Sequence, residues 1–137
     1  GVYEAGTFSG NPVSVVAAIE GLTELRDQQA TMYVKLQEFT DELTKNLNDF
    51  IASRKIKAQV NHIASMFTIF FTDTPVVNSE KALTSDKSKF NKFHQGLLKR
   101  GVFFPPSQFE TCFVCTAHSE DDMQHTLNAA LSSLKEL

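Results

Sequence analysis

The chain has 137 residues, 42% hydrophobic and 21% charged, as is typical of a single globular domain. Its net charge of −3 at pH 7 argues against nucleic acid or an anionic membrane surface as the main partner. No apolar run approaches the roughly 20 residues of a membrane span, and two cysteines are too few for a secreted disulfide framework. We therefore expect a cytoplasmic protein with a small-molecule or protein partner.

The most informative segment is a small-residue loop, Gly6-Thr7-Phe8-Ser9-Gly10-Asn11-Pro12, that leads into an apolar helical pattern. Asn11 is a favoured N-cap and Pro12 suits the first helical position, so the first-turn N–H groups are predicted to be free to bind phosphate. A Gly-rich helix start also occurs in many unrelated folds, so the loop alone does not establish a phosphate-binding site. Because the chain starts at Gly1 and reaches a helix cap by Asn11, we expect a piece of a longer protein.

Two helical patterns follow the loop. Apolar residues at helical spacing predict a helix from Pro12 to about Leu25, and a second set predicts a long amphipathic helix from Met32 to Phe50. The apolar phase slips between the two patterns. We therefore predict a bend near Asp27.

The period of the pattern changes in the second half of the chain. Residues 66–72 are aromatic and β-branched and predict a central strand, with 58–61 as a candidate neighbour and 112–117 as a further strand. Residues 75–88 are polar and predict a loop.

Two more helices are predicted, one over residues 90–98 that ends at Gly101, and one that starts at Ser119 with acidic residues in its first turn. The predicted fold class is α+β, with a small, mainly antiparallel sheet of about three strands packed against helices and covered mainly on one face.

Cys112, Cys115 and His118 form a C-x-x-C-x-x-H pattern, which resembles part of a zinc or redox site. Residues three apart on a strand point to opposite faces, and no second cysteine pair is present to complete four ligands. We therefore predict two buried small hydrophobic side chains and no metal site.

Glu110 follows an aromatic and proline-rich turn, residues 103–109, and directly precedes a predicted strand. Such a turn can hold a carboxylate in a fixed place, although an ordinary loop acid is the interpretation that composition favours. No lysine lies in the desolvated setting that Schiff-base chemistry requires. We therefore do not expect this chain to act as an enzyme by itself.

Three segments taken together resemble the glutamate-1-semialdehyde 2,1-aminomutase family, which belongs to the class III aminotransferase-like enzymes with pyridoxal phosphate. They are Val2 to Pro12, Ser65 to Phe67 with Phe70 to Asp73, and Pro105 to Glu110, and Ala117-His118 is also similar to the family pattern. The resemblance runs in order through the whole chain. It implies that residues 1–137 are the carboxy-terminal small domain of a fold-type I enzyme, with residues 1–30 the loop and helix that lead out of its large domain.

The resemblance also implies roles for individual residues. Thr7 would bind the phosphate of the partner subunit's pyridoxal phosphate across a homodimer interface, with Gly6 as its backbone neighbour. Glu110 would lie near the active-site entrance and handle the substrate or gate the site. The cofactor lysine, and the aspartate that pairs with the pyridine nitrogen, precede the loop motif in the family, so no catalytic residue is expected in this chain.

The reaction implied for the parent enzyme converts glutamate 1-semialdehyde, a small amino-acid substrate, to 5-aminolevulinate for tetrapyrrole synthesis. It would take place in the cytoplasm, or in the plastid stroma of a plant or alga. The chain alone is expected to be inactive and not to retain the cofactor. Two alternatives stay open: another class III aminotransferase or amino-acid racemase, and a non-catalytic interaction module.

Overall fold

The computed structural model describes Tyr3 and residues 5–137, so Gly1 and, from the resembling amino-terminal segment, Val2 and Glu4 lie outside the described residues. The chain divides into two units, Gly1–Met32 and Tyr33–Leu137. The elements of the described residues are, in chain order, α1 Pro12–Ser53, β1 Gln59–Ile63, β2 Met66–Phe70, α2 Ser79–Leu83, α3 Lys87–Lys99, β3 Cys112–Phe113 and α4 Glu120–Lys135. Within this part of the chain, no helix combines the length and apolar character that a membrane crossing requires.

Helix α1 continues through the position where the sequence predicts a bend, so the bend at Asp27 is wrong. Residues 26–31 contain neither Pro nor Gly, and each of them can continue a helix. Apolar residues spaced three and four apart drift by about 20° per heptad around a helix of 3.6 residues per turn. This drift explains the phase slip without a break in the helix.

In the unit Gly1–Met32, helix α1 carries aliphatic side chains that recur at helical spacing and face solvent. We call this set the α1 stripe; its members, Val15, Ile19, Leu22 and Leu25, have exposed fractions of 43%, 55%, 66% and 41%. Aliphatic side chains that are grouped and exposed in this way mark an interaction surface more often than scattered ones do.

The unit Tyr33–Leu137 contains a three-stranded antiparallel sheet in the order β1-β2-β3, which confirms the predicted α+β class. Val60 pairs with Ile69, and both side chains are buried together with that of Phe67. Ile63 and Phe113 belong to the opposite face and are exposed. The sheet is therefore covered mainly on one face, as predicted.

Two segments differ from their predicted structure. The predicted loop 75–88 contains α2, because the Asn78 side chain caps a helical turn by accepting a hydrogen bond from the Lys81 N–H at 2.9 Å. The predicted strand 112–117 ends at Phe113. After it the Cys115 N–H donates to His118 Nδ1 at 3.0 Å, and the His118 N–H donates to the Cys115 carbonyl at 3.1 Å, so the chain turns away from the sheet.

The helices α3 and α4 confirm the other two helical predictions. The positive φ of Gly101, 77°, follows the end of α3 and favours glycine at that position. Ser119 and Asp122 form a capping box at the start of α4. Helices α3 and α4 pack closely because Gly96 lacks a side chain: a Cβ there would lie 2.7 Å from Ser133 Oγ.

Candidate functional site

The amino-terminal loop forms a turn over residues 7–10. The Ser9 N–H donates to the Gly6 carbonyl at 3.0 Å, and the Asn11 N–H donates to the Phe8 carbonyl at 3.1 Å. Gly10 has a φ of 73°, which favours glycine, and a Cβ on Gly6 would lie 3.0 Å from Ser9 Oγ. The backbone of the turn therefore requires glycine at position 10, whereas a side chain at position 6 would meet only the Ser9 hydroxyl.

Asn11 is the N-cap of α1, as predicted, because its Oδ1 accepts hydrogen bonds from the N–H groups of Val13 and Ser14 at 3.1 and 3.3 Å. The same bonds correct the prediction of free first-turn N–H groups. Two of these groups are already bonded, and Pro12 has no N–H to donate. A phosphate at this loop would therefore depend on donors in the turn itself, before the helix begins.

Thr7 lies in that turn with its side chain exposed, and within residues 5–137 its hydroxyl has no hydrogen-bond partner. A hydroxyl and the nearby backbone of Gly6 are donors of the kind that bind a phosphate oxygen. The Thr7 hydroxyl and the Gly6 backbone N–H are therefore suited to bind the phosphate of pyridoxal phosphate. That contact stays a prediction.

No lysine of the chain is buried: Lys89 is half-buried and the others are exposed. A hydrogen bond to Asp49 and the charge of that carboxylate raise the pKa of Lys45, and Asp73 raises the pKa of Lys57 in the same way. A lysine that forms a Schiff base needs a neutral amine, which desolvation favours and a carboxylate partner opposes. None of these lysines has that setting.

Glu110 belongs to the other unit, Tyr33–Leu137, and is the last residue of a tight turn before β3. The Glu110 N–H donates to the Ser107 carbonyl at 3.0 Å, and the Phe109 N–H donates to Ser107 Oγ at 3.2 Å. Upstream, Phe104 is buried with its ring centroid 5.6 Å from that of Phe67. The turn therefore starts from the core and presents the Glu110 carboxylate to solvent.

Sequence reasoning missed the residue that lies inside this turn. Gln108 is 2% exposed, and its Nε2 donates to the Ser85 carbonyl at 3.4 Å. Glutamine is mostly exposed in proteins, and neither spacing nor propensity marks this one as buried. The one available signal is its position in a segment rich in phenylalanine and proline.

A cleft of about 500 Å³ is lined in part by residues 101–105 and 111–114, on either side of the Glu110 turn. Its walls are mostly apolar, and its polar lining residues include His118, Asp122 and His125. Each of these polar side chains already has a structural bond. His118 accepts from the Cys115 N–H, His125 Nε2 lies 3.0 Å from the Arg100 carbonyl oxygen, and Asp122 accepts from the Ser119 N–H at 2.8 Å. Hydrogen bonds from Ser119 also lower the pKa of Asp122. These bonds hold the three polar side chains in place at the wall of the cleft.

The two cysteines differ in their surroundings. Cys112 is half-buried, and its burial raises the pKa of the thiol to about 12. Cys115 is exposed, so the prediction that both are buried is wrong for Cys115, which lies beyond the end of β3. Across the described residues, no group of three or more His, Cys, Asp or Glu side chains could hold a metal ion.

Alkylation should separate the two thiols. At pH 8 we expect iodoacetamide to label Cys115 at least about 100-fold faster than Cys112, because the thiolate reacts and Cys112 stays protonated and half-buried. Mass spectrometry of the digested chain measures both rates, and labelling in denaturant is the control. Equal rates in the folded chain, or protection of both thiols by added Zn²⁺, would contradict this description.

No protein-family model matches the chain. Curated proteins do match it: the glutamate-1-semialdehyde 2,1-aminomutase of Aquifex aeolicus is 41% identical over 136 residues, which are 99% of this chain and 32% of that protein. The protein of the same name from Nitrosopumilus maritimus is 43% identical over 137 residues, again with 32% of its length covered. This chain matches the carboxy-terminal third of glutamate-1-semialdehyde 2,1-aminomutases. The resemblance found in the sequence is confirmed, and the chain spans about a third of the length of these aminomutases.

Solved structures with the same fold include aminotransferases and an aminomutase. A β-phenylalanine aminotransferase from Variovorax paradoxus has a TM-score of 0.84 and 22% identity, covering 99% of this chain and 31% of that one. An omega-transaminase from Sphaerobacter thermophilus has a TM-score of 0.82 and 22% identity, covering 98% and 30%. A glutamate-1-semialdehyde-aminomutase from Pseudomonas aeruginosa, in complex with PMP, has a TM-score of 0.68 and 18% identity, covering 77% and 23%. At these identities the structures establish the fold and leave the substrate open.

Proposed function

We propose that this chain is the carboxy-terminal part of a glutamate-1-semialdehyde 2,1-aminomutase, a pyridoxal-phosphate-dependent isomerase that forms 5-aminolevulinate for tetrapyrrole synthesis. The observation that carries the proposal is the 41% identity with the Aquifex aeolicus aminomutase over 99% of the chain. The solved structures do not separate the two classes, because two transaminases share 22% identity with the chain and an aminomutase shares 18%. We assign the enzyme to the cytoplasm, or to the plastid stroma if the source is a plant or alga.

In this proposal the chain supplies binding and positioning groups. Pyridoxal phosphate, when bound, supplies an electron sink beside the reacting carbon. Thr7, exposed in its turn, would donate a hydrogen bond from its hydroxyl to the cofactor phosphate of the partner subunit in a homodimer, with Gly6 as its backbone neighbour. Glu110, presented by the turn before β3, would contact the substrate near the entrance.

The remaining two thirds of the aminomutase would supply the chemistry that this chain lacks. We place the Schiff-base lysine there, because no lysine of this chain is buried. The α1 stripe, four exposed aliphatic side chains on one helix, supports a contact between this chain and that larger part of the same subunit.

A fusion tests the proposal. The two thirds of the Aquifex aeolicus aminomutase that precede the matched region, joined to this chain, should bind pyridoxal phosphate and form 5-aminolevulinate from glutamate 1-semialdehyde. The isolated chain and the isolated Aquifex part are the controls, and neither should form product. A folded fusion that binds the cofactor but makes no 5-aminolevulinate would contradict the proposal, and so would turnover by the isolated chain.

A further inference from the structure

Gln108 is a buried amide inside an otherwise accessible turn. Its side chain is 2% exposed, whereas Phe109 and Glu110, the next two residues, are exposed. Burying an amide costs free energy unless hydrogen bonds replace those it makes with water. A polar residue in a turn is normally exposed to solvent, so the burial of Gln108 indicates that its side chain makes a structural contact.

The amide of Gln108 connects the turn to a segment that is itself fixed. Gln108 Nε2 donates to the Ser85 carbonyl, 23 residues away in sequence, at 3.4 Å. The Ser85 N–H donates to the Ala82 carbonyl at 3.1 Å, and the adjacent Asp86 N–H donates to the carbonyl of Phe71 at 2.9 Å. Through Ser85, the turn that carries Glu110 is therefore tied to the end of α2 and to the segment that follows β2.

Gln108 and Ser85 each have a further buried polar atom that can form a hydrogen bond. Gln108 Oε1 and Ser85 Oγ are buried and have no hydrogen-bond partner among the described residues. Gln108 and Glu110 also line one cavity of about 10 Å³ with Thr68 and Ile69 of β2, roughly the space of one water molecule. Gln108 and Glu110 are therefore in contact with the same small space beside β2.

We propose that Gln108 is a positioning residue that sets where the turn presents the Glu110 carboxylate. The inference rests on the proposed function, in which Glu110 contacts the substrate. Gln108 itself touches no reacting group; it acts through the backbone of Ser107 to Glu110.

The first test uses this chain and does not depend on its activity. Gln108→Leu keeps most of the buried volume and removes the amide, so the amide hydrogens of Phe109 and Glu110 should exchange about tenfold faster, as expected for the loss of one hydrogen bond. Exchange in α3 and α4 should change less than about twofold. The control is Gln95→Leu, the same change at an exposed position of α3. Unchanged exchange in the turn, or equal acceleration throughout the unit, would overturn the inference; Gln108→Met serves if the Leu variant does not fold.

The second test uses the active fusion and a double-mutant cycle. We expect Gln108→Leu to lower kcat/KM about tenfold with cofactor binding unchanged, and the double variant with Glu110→Gln to be no worse than Glu110→Gln alone. Additive losses would show that Gln108 acts independently of Glu110 and would overturn the inference. If Glu110→Gln leaves kcat/KM unchanged, the proposed role of Glu110 fails, and the exchange measurement alone decides whether Gln108 fixes the turn.

Discussion

Replacing Phe93 with alanine is expected to lower the free energy of unfolding of the unit Tyr33–Leu137 by about 3–5 kcal/mol. Phe93 is 0% exposed, and its ring centroid lies 5.6 Å from that of Phe71 and 6.3 Å from that of Phe104. The variant would leave a cavity between α3 and the segment that leads to the Glu110 turn. Because small domains are stable by only about 5–15 kcal/mol, this loss removes a large fraction of the total.

Urea denaturation of the chain followed by circular dichroism measures the effect. The matched control is Phe103→Ala, which removes a ring that is 75% exposed ten residues further along the chain and should cost less than about 1 kcal/mol. Similar losses for the two variants would show that Phe93 does not lie in the core described above.

Replacing Thr7 with valine in the fusion is expected to weaken the retention of pyridoxal phosphate by about 10- to 100-fold, the range for one hydrogen bond to a charged group. Valine keeps the shape of the side chain and removes only the hydroxyl donor. The start of α1 cannot compensate for this loss, because Asn11 already bonds the N–H groups of Val13 and Ser14.

Equilibrium dialysis of the cofactor measures this retention. Thr7→Ser should remain close to the unsubstituted fusion because it keeps the hydroxyl, and Ser14→Ala, which removes an exposed hydroxyl from the first turn of α1, should change retention less than about twofold. Retention unchanged in Thr7→Val would remove Thr7 from the site.

The parts of the fold that follow from local chemistry could be predicted from the sequence. The aromatic and β-branched run that begins at Met66 forms a strand, and the capped acidic turn at Ser119 starts a helix. The predicted bend at Asp27 is wrong, because apolar spacing drifts around a continuous helix and the segment contains no helix breaker. The early end of β3 depends on a bond between Cys115 and the His118 ring, which strand propensity does not contain.

The candidate site could be predicted only in part. The roles of Thr7 and Glu110 rest on the family resemblance, because an exposed threonine in a turn and an acid after a proline-rich turn do not by themselves specify a ligand. The cap explains the error about free N–H groups: the property that makes Asn11 a good N-cap also occupies those donors. Gln108 could not be found, because its burial depends on a contact with Ser85 that only the folded chain brings about.

The most direct test of the account is the amount of 5-aminolevulinate that the fusion forms from glutamate 1-semialdehyde with no added amino donor or acceptor. We predict turnover, together with little or no transfer of the amino group of β-phenylalanine to a keto acid. The opposite result, transfer from β-phenylalanine without formation of 5-aminolevulinate, would contradict the aminomutase assignment and favour the aminotransferase alternative.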